Sequence, residues 1–286
     1  MLRAPCLLSL VVGATLGCTA VVDLDHLDGA QTGGAGGTTS TTGSGAVGPG
    51  GAGSQGVGGA TSGYAQVVLA DQPLGYWRLD ERNGPTAASL VDTGPSGTYA
   101  RGCIFGTAGA VDAGNNAAVQ FDGFSCRIEF GNVFAFEGQA LFSLEAWVKP
   151  GVPDSPLGRI CSKEDEGAGK HQGYALLLDG STVSFDRWLD DALDSANAAS
   201  SLTQGIFSHV VATYDGTRLS VYINGQLSSS EDTTKALVNV SAPFVVGASS
   251  LSAQFFEGVL DEIAVYDTAL SDERVVAHYS AGLTGL

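Results

Sequence analysis

Four segments in the second half of the chain alternate between apolar and polar residues: 142–150, 209–216, 218–225 and 258–267. In the first, Phe142, Leu144 and Ala146 share one face, because side chains of a strand point alternately to its two sides. The motifs Asp-Gly at 215–216 and Asn-Gly at 224–225 predict tight turns after the second and third segments. Antiparallel strands with one buried face each are therefore predicted, and two such sheets must stack to hide those faces.

Two other segments, 270–279 and 64–70, do not show the alternation of a strand as clearly. Residues 270–279 have the spacing of a helix, with Ser271 placed as its cap and with Asp272 and Glu273 in the first turn, where negative charge is favoured. We expect this helix to close an open edge or end of the sandwich. The apolar piece 64–70 fits either a short helix or a strand.

Composition and charge narrow the class of protein. The chain has 286 residues, 44% of them hydrophobic, and its 41 glycines argue against long helices. Residues 64–286 hold 12 basic and 27 acidic residues, a net charge of −15. Such a domain repels phosphate backbones, so we do not expect nucleic acid as a partner, and an anionic membrane repels the domain unless something anchors it. We interpret the acidity as a means of solubility outside the cell, in preference to a role in binding many cations.

The N-terminal residues have the pattern of an export signal. A basic start at Arg3 precedes an apolar run, residues 7–16, that is too short to span a bilayer. The ending Thr-Leu-Gly-Cys resembles a bacterial lipobox, in which cleavage precedes the cysteine and its sulfur carries a diacylglyceryl group; Thr15 stands where the family usually has Leu. We expect residues 1–17 to be a lipoprotein-type signal peptide and Cys18 to be lipidated. An ordinary signal peptide with an incidental cysteine is the alternative.

A low-complexity stretch follows. Residues 29–63 contain 15 glycines in 35 positions and no charge, so they cannot bury enough apolar surface to fold. A coil of that length spans roughly 30–35 Å. We expect residues 18–63 to be a flexible tether and residues 64–286 one domain, exported and lipid-anchored to the bacterial envelope at the outer membrane or cell surface. Compositional drift without a selected length is the alternative.

Further motifs extend the alternating segments into a family resemblance. Residues 71–81 read D-x-P-x-x-Y-W-R-L-x-E and residues 117–123 read A-A-V-Q-F-D-G. From about 71 to 282 the chain resembles the laminin G-like domains of the concanavalin A-like jelly-roll superfamily, although Phe207 stands where the family often has Trp. The resemblance implies an all-β, two-sheet antiparallel jelly-roll sandwich with a short C-terminal helix.

Such sandwiches are usually binding modules, so we expect a surface-tethered, non-catalytic recognition module for carbohydrate or a protein partner. The alternative is a structural envelope lipoprotein without a small-molecule ligand. Many hydrolases of the superfamily carry Glu-x-Asp-x-Glu on one strand, which this chain lacks. Glu164 and Glu166 lie in a segment without alternation, and the adjacent Asp261 and Glu262 should face opposite sides of a strand. We interpret these acids as solvated charges or structural ligands and expect no enzyme activity.

The cysteines indicate whether a disulfide or a zinc site is present. Besides Cys18, the exported chain keeps Cys103, Cys126 and Cys161. Export permits a disulfide, and we favour Cys103–Cys126 over Cys126–Cys161, although the sequence leaves the connectivity open. A bridge of that loop length contributes on the order of 3 kcal/mol. The scattered histidines and the absence of Cys-x-x-Cys make a zinc site improbable.

Two sets of residues are candidates for binding. Arg187, Trp188, Asp190 and Asp191 combine an aromatic face with hydrogen-bonding groups, as a saccharide site requires; a tryptophan packed in the core is the alternative.

The family resemblance implies calcium for the second set, since many such jelly rolls hold the ion with Asp, Asn and carbonyl oxygens. Asp122 and Asp261 are the candidates because both are polar positions inside the shared strand motifs. The alternative is that Asp122 caps its turn and Asp261 hydrogen-bonds backbone.

Overall fold

The computed structural model describes residues 63–111, 116–151, 157–165, 169–233 and 235–284. Residues 1–17, Cys18 and the tether up to residue 62 lie outside the described residues, so the predictions of signal peptide, lipidation and tether stay predictions.

The described residues form two helices and sixteen strands. In chain order they are α1 (Gly63–Ala70), β1 (Gly75–Trp77), β2 (Thr86–Ala87), β3 (Gly97–Tyr99), β4 (Ile104–Ala108), β5 (Ala117–Asp122), β6 (Ile128–Glu129), β7 (Phe142–Pro150), β8 (Gly158–Asp165), β9 (Gln172–Asp179), β10 (Thr182–Leu189), β11 (Ala192–Asn197), β12 (Ser208–Tyr214), β13 (Arg218–Ile223), β14 (Gln226–Asp232), β15 (Val245–Val246), β16 (Glu257–Tyr266) and α2 (Asp272–Thr284).

The strands build two antiparallel sheets. One, here the back sheet, has the order β14-β13-β12-β7-β16-β5-β4, with β1 also paired to β16. The other, the front sheet, has the order β11-β10-β9-β8-β15-β6-β3-β2. The two-sheet antiparallel sandwich implied by the sequence is confirmed.

The four alternating segments lie together in the back sheet as β12, β13, β7 and β16. Phe142, Leu144 and Ala146 point into the core, as their alternation predicts. Asn224 and Gly225 take positive φ angles of 51° and 78° between β13 and β14, which is the conformation that a tight hairpin turn requires.

Aromatic side chains fill much of the space between the sheets. Trp77 is fully buried, its ring centroid lies 4.4 Å from that of Phe130, and its indole N–H donates to the Pro95 carbonyl at 2.9 Å. A fully buried large apolar side chain contributes about 1.5–3 kcal/mol relative to exposure. The core therefore stabilises the register in which the outward-facing residues of each sheet are displayed.

Both helices pack on the outer face of the back sheet. In α2 the Ser271 hydroxyl accepts the Arg274 N–H at 3.4 Å, as expected of a cap, but the helix starts at Asp272 and runs to Thr284. Val275 and α1 residues share one apolar cluster with Trp147 of β7. The helix thus covers a sheet face, which corrects the expectation that it closes an edge or an end. Neither described helix combines the length and apolar character needed to cross a bilayer.

A buried carboxylate lies beneath the helices. Glu145 accepts hydrogen bonds from the hydroxyls of Tyr64 at 2.7 Å and Tyr266 at 2.5 Å. His209 Nε2 and His278 Nδ1 contact it at 2.7 and 3.0 Å. Burial alone would raise the pKa of the Glu145 carboxyl, but the charge of His278 and the hydrogen bonds from both imidazoles hold it well below its usual range. The polar network therefore fixes the helices over this face.

Candidate ligand-binding site

The outer face of the front sheet carries a cluster of aromatic and charged side chains, here the Trp188 cluster: Arg159, Glu164, His171, Asp186 and Trp188. On β10 the alternation sends Phe185 into the core and sends Asp186 and Trp188 outward. Trp188 is 8% exposed and packs against Ala175 and other apolar residues of the outer face. Trp188 is therefore neither a fully exposed platform nor a residue of the core between the sheets; it is a mostly covered residue of the outer face.

A bulge in β8 supplies the charged pair. Arg159 pairs with Leu177 of β9, while Cys161, two residues on, pairs with Leu176, so the register shifts by one residue. Arg159 and Glu164 consequently face the same side although they are five residues apart. The guanidinium binds the carboxylate through two nitrogens, Nε to Oε1 at 3.0 Å and Nη2 to Oε2 at 3.1 Å.

His171 covers this pair and the tryptophan. Its imidazole stacks on the Trp188 ring, with centroids 4.2 Å apart and planes 16° from parallel. Its Nε2 lies 2.9 Å from Glu164 Oε2, and the Arg159 guanidinium carbon lies 5.3 Å from the Trp188 ring centroid. Aromatic, anionic and cationic groups thus lie next to one another, at separations of 2.9–5.3 Å.

The electrostatics of the two carboxylates differ. Burial acts to raise the pKa of Glu164, but hydrogen bonds from His171 and Arg159 and the Arg159 charge lower it overall. Burial raises the pKa of Asp186, and the hydrogen bond that Ser195 donates at 2.5 Å offsets this only in part. Arg159 Nη1 is buried and has no hydrogen-bond partner among the described residues, a state that costs free energy unless a ligand or water satisfies it.

Arg187 does not belong to this cluster, which corrects its grouping with Trp188. Neighbouring residues of β10 point to opposite sides, so Arg187 enters the sandwich, where its guanidinium carbon stands 3.7 Å from the Tyr214 ring centroid. Its Nη2 donates to the Lys235 carbonyl at 3.1 Å. Arg187 therefore packs between the sheets and cannot border a ligand beside Trp188.

The acid pair forms the turn between β10 and β11. Asp190 and Asp191 both have positive φ, 51° and 68°. Asp191 Oδ1 accepts the His171 N–H at 2.7 Å, and Asp190 Oδ1 accepts Gln172 Nε2 at 2.8 Å. The structure thus brings Trp188, Asp190 and Asp191 together around His171.

Four members of the cluster were missed from the sequence. Asp186 lies two residues before Trp188, so strand alternation could have placed both on one face. Glu164 is buried in β8 and ion-paired, so of the two interpretations it fits the structural ligand and not the solvated charge; Glu166 lies outside the described residues. The sequence does not predict that Arg159 and Glu164 face the same side, because residues five apart on a regular strand face opposite sides and the bulge changes this.

The predicted disulfide Cys103–Cys126 is confirmed, with the two Cα atoms 4.7 Å apart. Cys161 is free and buried, and burial raises the pKa of its thiol to about 12. A thiol in that state is unreactive at neutral pH.

The first calcium candidate occupies a turn. Asp122 Oδ1 accepts the backbone N–H groups of Phe124, Ser125 and Cys126 at 2.7–2.9 Å, and Oδ2 accepts the Ser125 hydroxyl at 2.6 Å. Burial opposes these hydrogen bonds, which nevertheless lower the pKa of the carboxyl. This is the turn-capping role that the sequence left open for Asp122.

The second candidate, Asp261, lies at a bulge in β16. Leu260 and Ile263 both face the core, while Asp261 and Glu262 between them both point away, with Glu262 at a φ of 52°. The expectation that the two acids face opposite sides is therefore wrong. Asp261 Oδ2 accepts the Ala110 N–H at 2.7 Å, which is the backbone role weighed as the alternative to calcium.

Three carboxylates gather there around one guanidinium. Arg78 pairs with Asp80 at 3.1 Å and with Glu262 at 3.1 Å. Burial, followed by the charge of Glu262, raises the pKa of Asp261, and burial raises that of Glu262 to about 8. Asn116 donates to Glu262 at 3.0 Å. The oxygens are of the kind that calcium prefers, although the described residues contain no group of three His, Cys, Asp or Glu side chains arranged to hold a metal.

Two antiparallel sheets with a polar and aromatic outer face define a β-sandwich module of the jelly-roll class. Residues 113–276 match a laminin G family model described as the Concanavalin A-like lectin/glucanases superfamily, and the chain belongs to this family. A comparison with curated proteins finds no significant match.

Solved structures resemble the chain in fold. Domain 4 of AbnA, a GH43 extracellular arabinanase from Geobacillus stearothermophilus, solved in complex with arabinotriose, has a TM-score of 0.58 and 16% identity, covering 73% of this chain and 98% of that one. The binding domain of Paraclostridial Mosquitocidal Protein 1 has a TM-score of 0.58, 14% identity and coverages of 74% and 52%. For the binding domain of Botulinum neurotoxin serotype G the values are 0.52, 14%, 73% and 51%. The chain thus spans about half the length of the two toxin domains.

Proposed function

We propose that the chain is a surface-tethered, non-catalytic recognition module that binds a saccharide at the Trp188 cluster. The observation that carries this proposal is the convergence, on one sheet face, of an aromatic ring, a buried carboxylate and a guanidinium N–H for which the described part of the chain offers no partner. Ligand sites typically combine apolar and aromatic surface with a few placed polar groups. A sugar ring offers both an apolar face for Trp188 and hydroxyls for Glu164 and Arg159.

The structural relatives support a binding role. Domain 4 of AbnA was solved with arabinotriose, and this chain covers 98% of it. The two toxin relatives are binding domains. An extracellular protein is the second class of partner, and the stacked aromatic arrangement at Trp188 favours a saccharide over it.

The state of the two buried acids supports a role without catalysis. Glu164 is 1% exposed and held by Arg159, and Asp186 is 7% exposed and held by Ser195. Glycoside hydrolysis requires an acid and a second carboxylate flanking the bond that is cleaved. Both carboxylates are already held by protein groups, Glu164 by the Arg159 guanidinium and Asp186 by the Ser195 hydroxyl, which favours holding a ligand over cleaving it.

We further propose that Cys18 carries the lipid anchor and that residues 18–63 form the spacer behind the domain. The basic start, short apolar run and Gly-Cys junction support this. The domain is acidic, so membrane attachment depends on the lipid alone.

We also propose that calcium binds at Asp261. Asp261 and Glu262 are buried acids with raised pKa values, next to Asp80 and Arg78, and a divalent cation at Asp261 would favour their ionised forms. Asn116 adds an amide oxygen near Gly109. The ion's role would be structural, joining β16 to the segment around Ala110.

Glycan-array binding of the whole chain tests the saccharide proposal. Trp188→Ala removes the stacking face, and we expect about a fivefold to hundredfold loss of affinity, since stacking of a ring on an aromatic side chain contributes about 1–3 kcal/mol. Phe124→Ala is the matched control, because Phe124 is an aromatic residue 80% exposed and lies at a different place on the fold.

Circular dichroism and the melting temperature must show that Trp188→Ala is folded. Equal binding by the wild type and a folded Trp188→Ala would contradict the proposed site. Silence of the wild type on glycans and cell-wall fractions would favour the structural envelope lipoprotein instead.

A further inference from the structure

Gly173 of β9 belongs to the front sheet. It pairs with Trp188 on one side and with Glu164 on the other, so it stands between them in the sheet. A Cβ at this position would approach the Lys163 carbonyl oxygen to 2.1 Å, and the φ of 113° favours glycine. Position 173 is thus restricted to glycine, and because a glycine has no side chain, this row contributes none between the Trp188 ring and the Glu164 carboxylate.

The imidazole of His171 contacts both the Trp188 ring and the Glu164 carboxylate. Its ring lies flat on Trp188 at 4.2 Å, while its Nε2 contacts Glu164 Oε2 at 2.9 Å. A sugar ring in an aromatic binding site makes the same two contacts, stacking by one face and hydrogen-bonding through its edge. His171 is 22% exposed at its side chain, so the ring is reachable from solvent while Glu164 beneath it is not.

We propose that His171 is a built-in occupant of the ligand site and that its imidazole must rotate away for a neutral saccharide ring to bind. This inference rests on the proposed function and deepens it. The rotation frees the Trp188 face and one lone-pair position on Glu164 Oε2. Arg159 Nη1, which no described residue hydrogen-bonds, then donates to a second hydroxyl.

The ligand is neutral because the surroundings are already anionic. One guanidinium, Arg159, faces Glu164 and lies close enough to Asp186 to act on its pKa, and the turn beside it adds Asp190 and Asp191. An additional carboxylate, as in a uronic acid, would meet this excess negative charge within a domain of net charge −15.

Titration calorimetry of the whole chain with arabinotriose, and with a panel of neutral and uronate-containing trisaccharides, tests the inference. A site that its own side chain occupies nine-tenths of the time binds about tenfold more weakly than the open site. We expect His171→Ala to bind neutral trisaccharides about tenfold more tightly than the wild type. Lys170→Ala, a neighbouring exposed cation outside the stack, should stay within about twofold.

Adding Trp188→Ala to His171→Ala should abolish the gain. In the wild type, NMR should show His171 ring protons displaced by the Trp188 ring current, and saturating sugar should return them to ordinary positions. This readout does not depend on how any variant folds.

Two results separate the ways of failing. If Trp188→Ala loses binding but His171→Ala binds no tighter, His171 is part of the site and this inference is wrong while the proposed function stands. If neither the wild type nor His171→Ala binds any sugar, the proposed function fails and the inference fails with it. Binding by His171→Ala alone would support both.

Discussion

The Asp261 carboxylate accepts hydrogen bonds from two backbone N–H groups and lies near two further acids, Glu262 and Asp80. One oxygen accepts the Ala110 N–H at 2.7 Å and the other accepts the Glu262 N–H at 3.0 Å. These hydrogen bonds favour the ionised form, whereas full burial and the charges of Glu262 and Asp80 disfavour it. A cation at this place would relieve the repulsion directly.

We predict that adding calcium after chelation raises the melting temperature of the wild type by about 5–10 °C and leaves that of Asp261→Asn unchanged. A ligand at a hundred times its dissociation constant stabilises the folded state by about 2.7 kcal/mol. Each kcal/mol raises the melting temperature of a domain of this size by about 2–4 °C. A thermal-shift assay measures the effect.

Asp122→Asn is the matched control, because Asp122 is the other sequence-derived candidate and caps a turn instead. Its variant should melt lower but keep the response to calcium. An unchanged melting temperature of the wild type, or a response lost only in Asp122→Asn, would show that Asp261 does not hold the ion.

Residues on regular strands were predictable and residues at bulges were not. The outward position of Trp188 and the turn at Asp190 follow from alternation and local turn chemistry. The shared side of Asp261 and Glu262 and that of Arg159 and Glu164 depend on one extra residue in a strand, which no local pattern announces. The Cys103–Cys126 pairing was favoured from the sequence, but its connectivity needed the structure.

Helix α2 is attached to the back sheet through a histidine with two acidic partners. His278 Nδ1 lies 3.0 Å from Glu145, and His278 Nε2 lies 2.6 Å from Asp71. Both ring nitrogens face carboxylates, so the imidazolium, which donates from both, is the form that fits. Burial lowers the pKa of His278, but Glu145 and Asp71 together raise it. Arg274 binds the same Asp71 at 2.7 Å.

We predict that this attachment weakens as the pH rises above 6.5, the ordinary pKa of histidine. A group whose folded pKa is raised stabilises the fold below its unfolded pKa and loses that contribution as the pH passes the folded value. For Glu145, whose pKa is depressed, the loss comes as the pH falls below its ordinary 4.5. The network is therefore strongest between about 4.5 and 6.5.

The measurement is the free energy of unfolding in urea at pH 6 and pH 9, for the wild type and His278→Gln. The wild type should lose roughly 2 kcal/mol more than the variant, the size of a hydrogen bond to a charged group. Lys163 and Glu262 also titrate near 8, but both are present in each protein, so the difference isolates His278. Glu273→Gln, on an exposed position of the same helix, should behave as the wild type. Equal slopes in wild type and His278→Gln would contradict the prediction.

Elements with strong local periodicity were predictable almost to the residue. The segment 142–150 is β7 as it stands, and the segment 218–225 contains β13 with its turn. The helix α2 was found, but its place on a sheet face was not, since that depends on Trp147 and Val211 presenting an apolar outer surface far away in sequence. Single-sequence periodicity records the buried side of an element and not which partner buries it.

The assignment of the ligand site to the front sheet depends on which outer sheet face the described helices cover. Both helices cover the back sheet, so the Trp188 cluster lies on the face of the opposite sheet. The sequence predicts two sheets but not which of them is covered, because that follows from long-range packing. The proposed recognition role needs distance from the surface, and the Gly-rich residues 29–63 of the predicted tether would supply a span of roughly 30–35 Å.

Attachment to the membrane is expected to depend on Cys18. A thioether-linked diacylglyceryl group on Cys18, with an N-terminal acyl chain, would anchor the chain stably, whereas one chain binds only marginally. We therefore expect a radiolabelled fatty acid to label the wild type and the wild type to sediment with membranes, and Cys18→Ser to do neither. Cys161→Ser is the control, since Cys161 is buried and its loss should leave both readouts unchanged. Equal labelling of wild type and Cys18→Ser, or sedimentation that survives the substitution, would mean that Cys18 is incidental to an ordinary signal peptide. The acidic domain would then need another means of reaching the surface, because its own charge repels an anionic membrane.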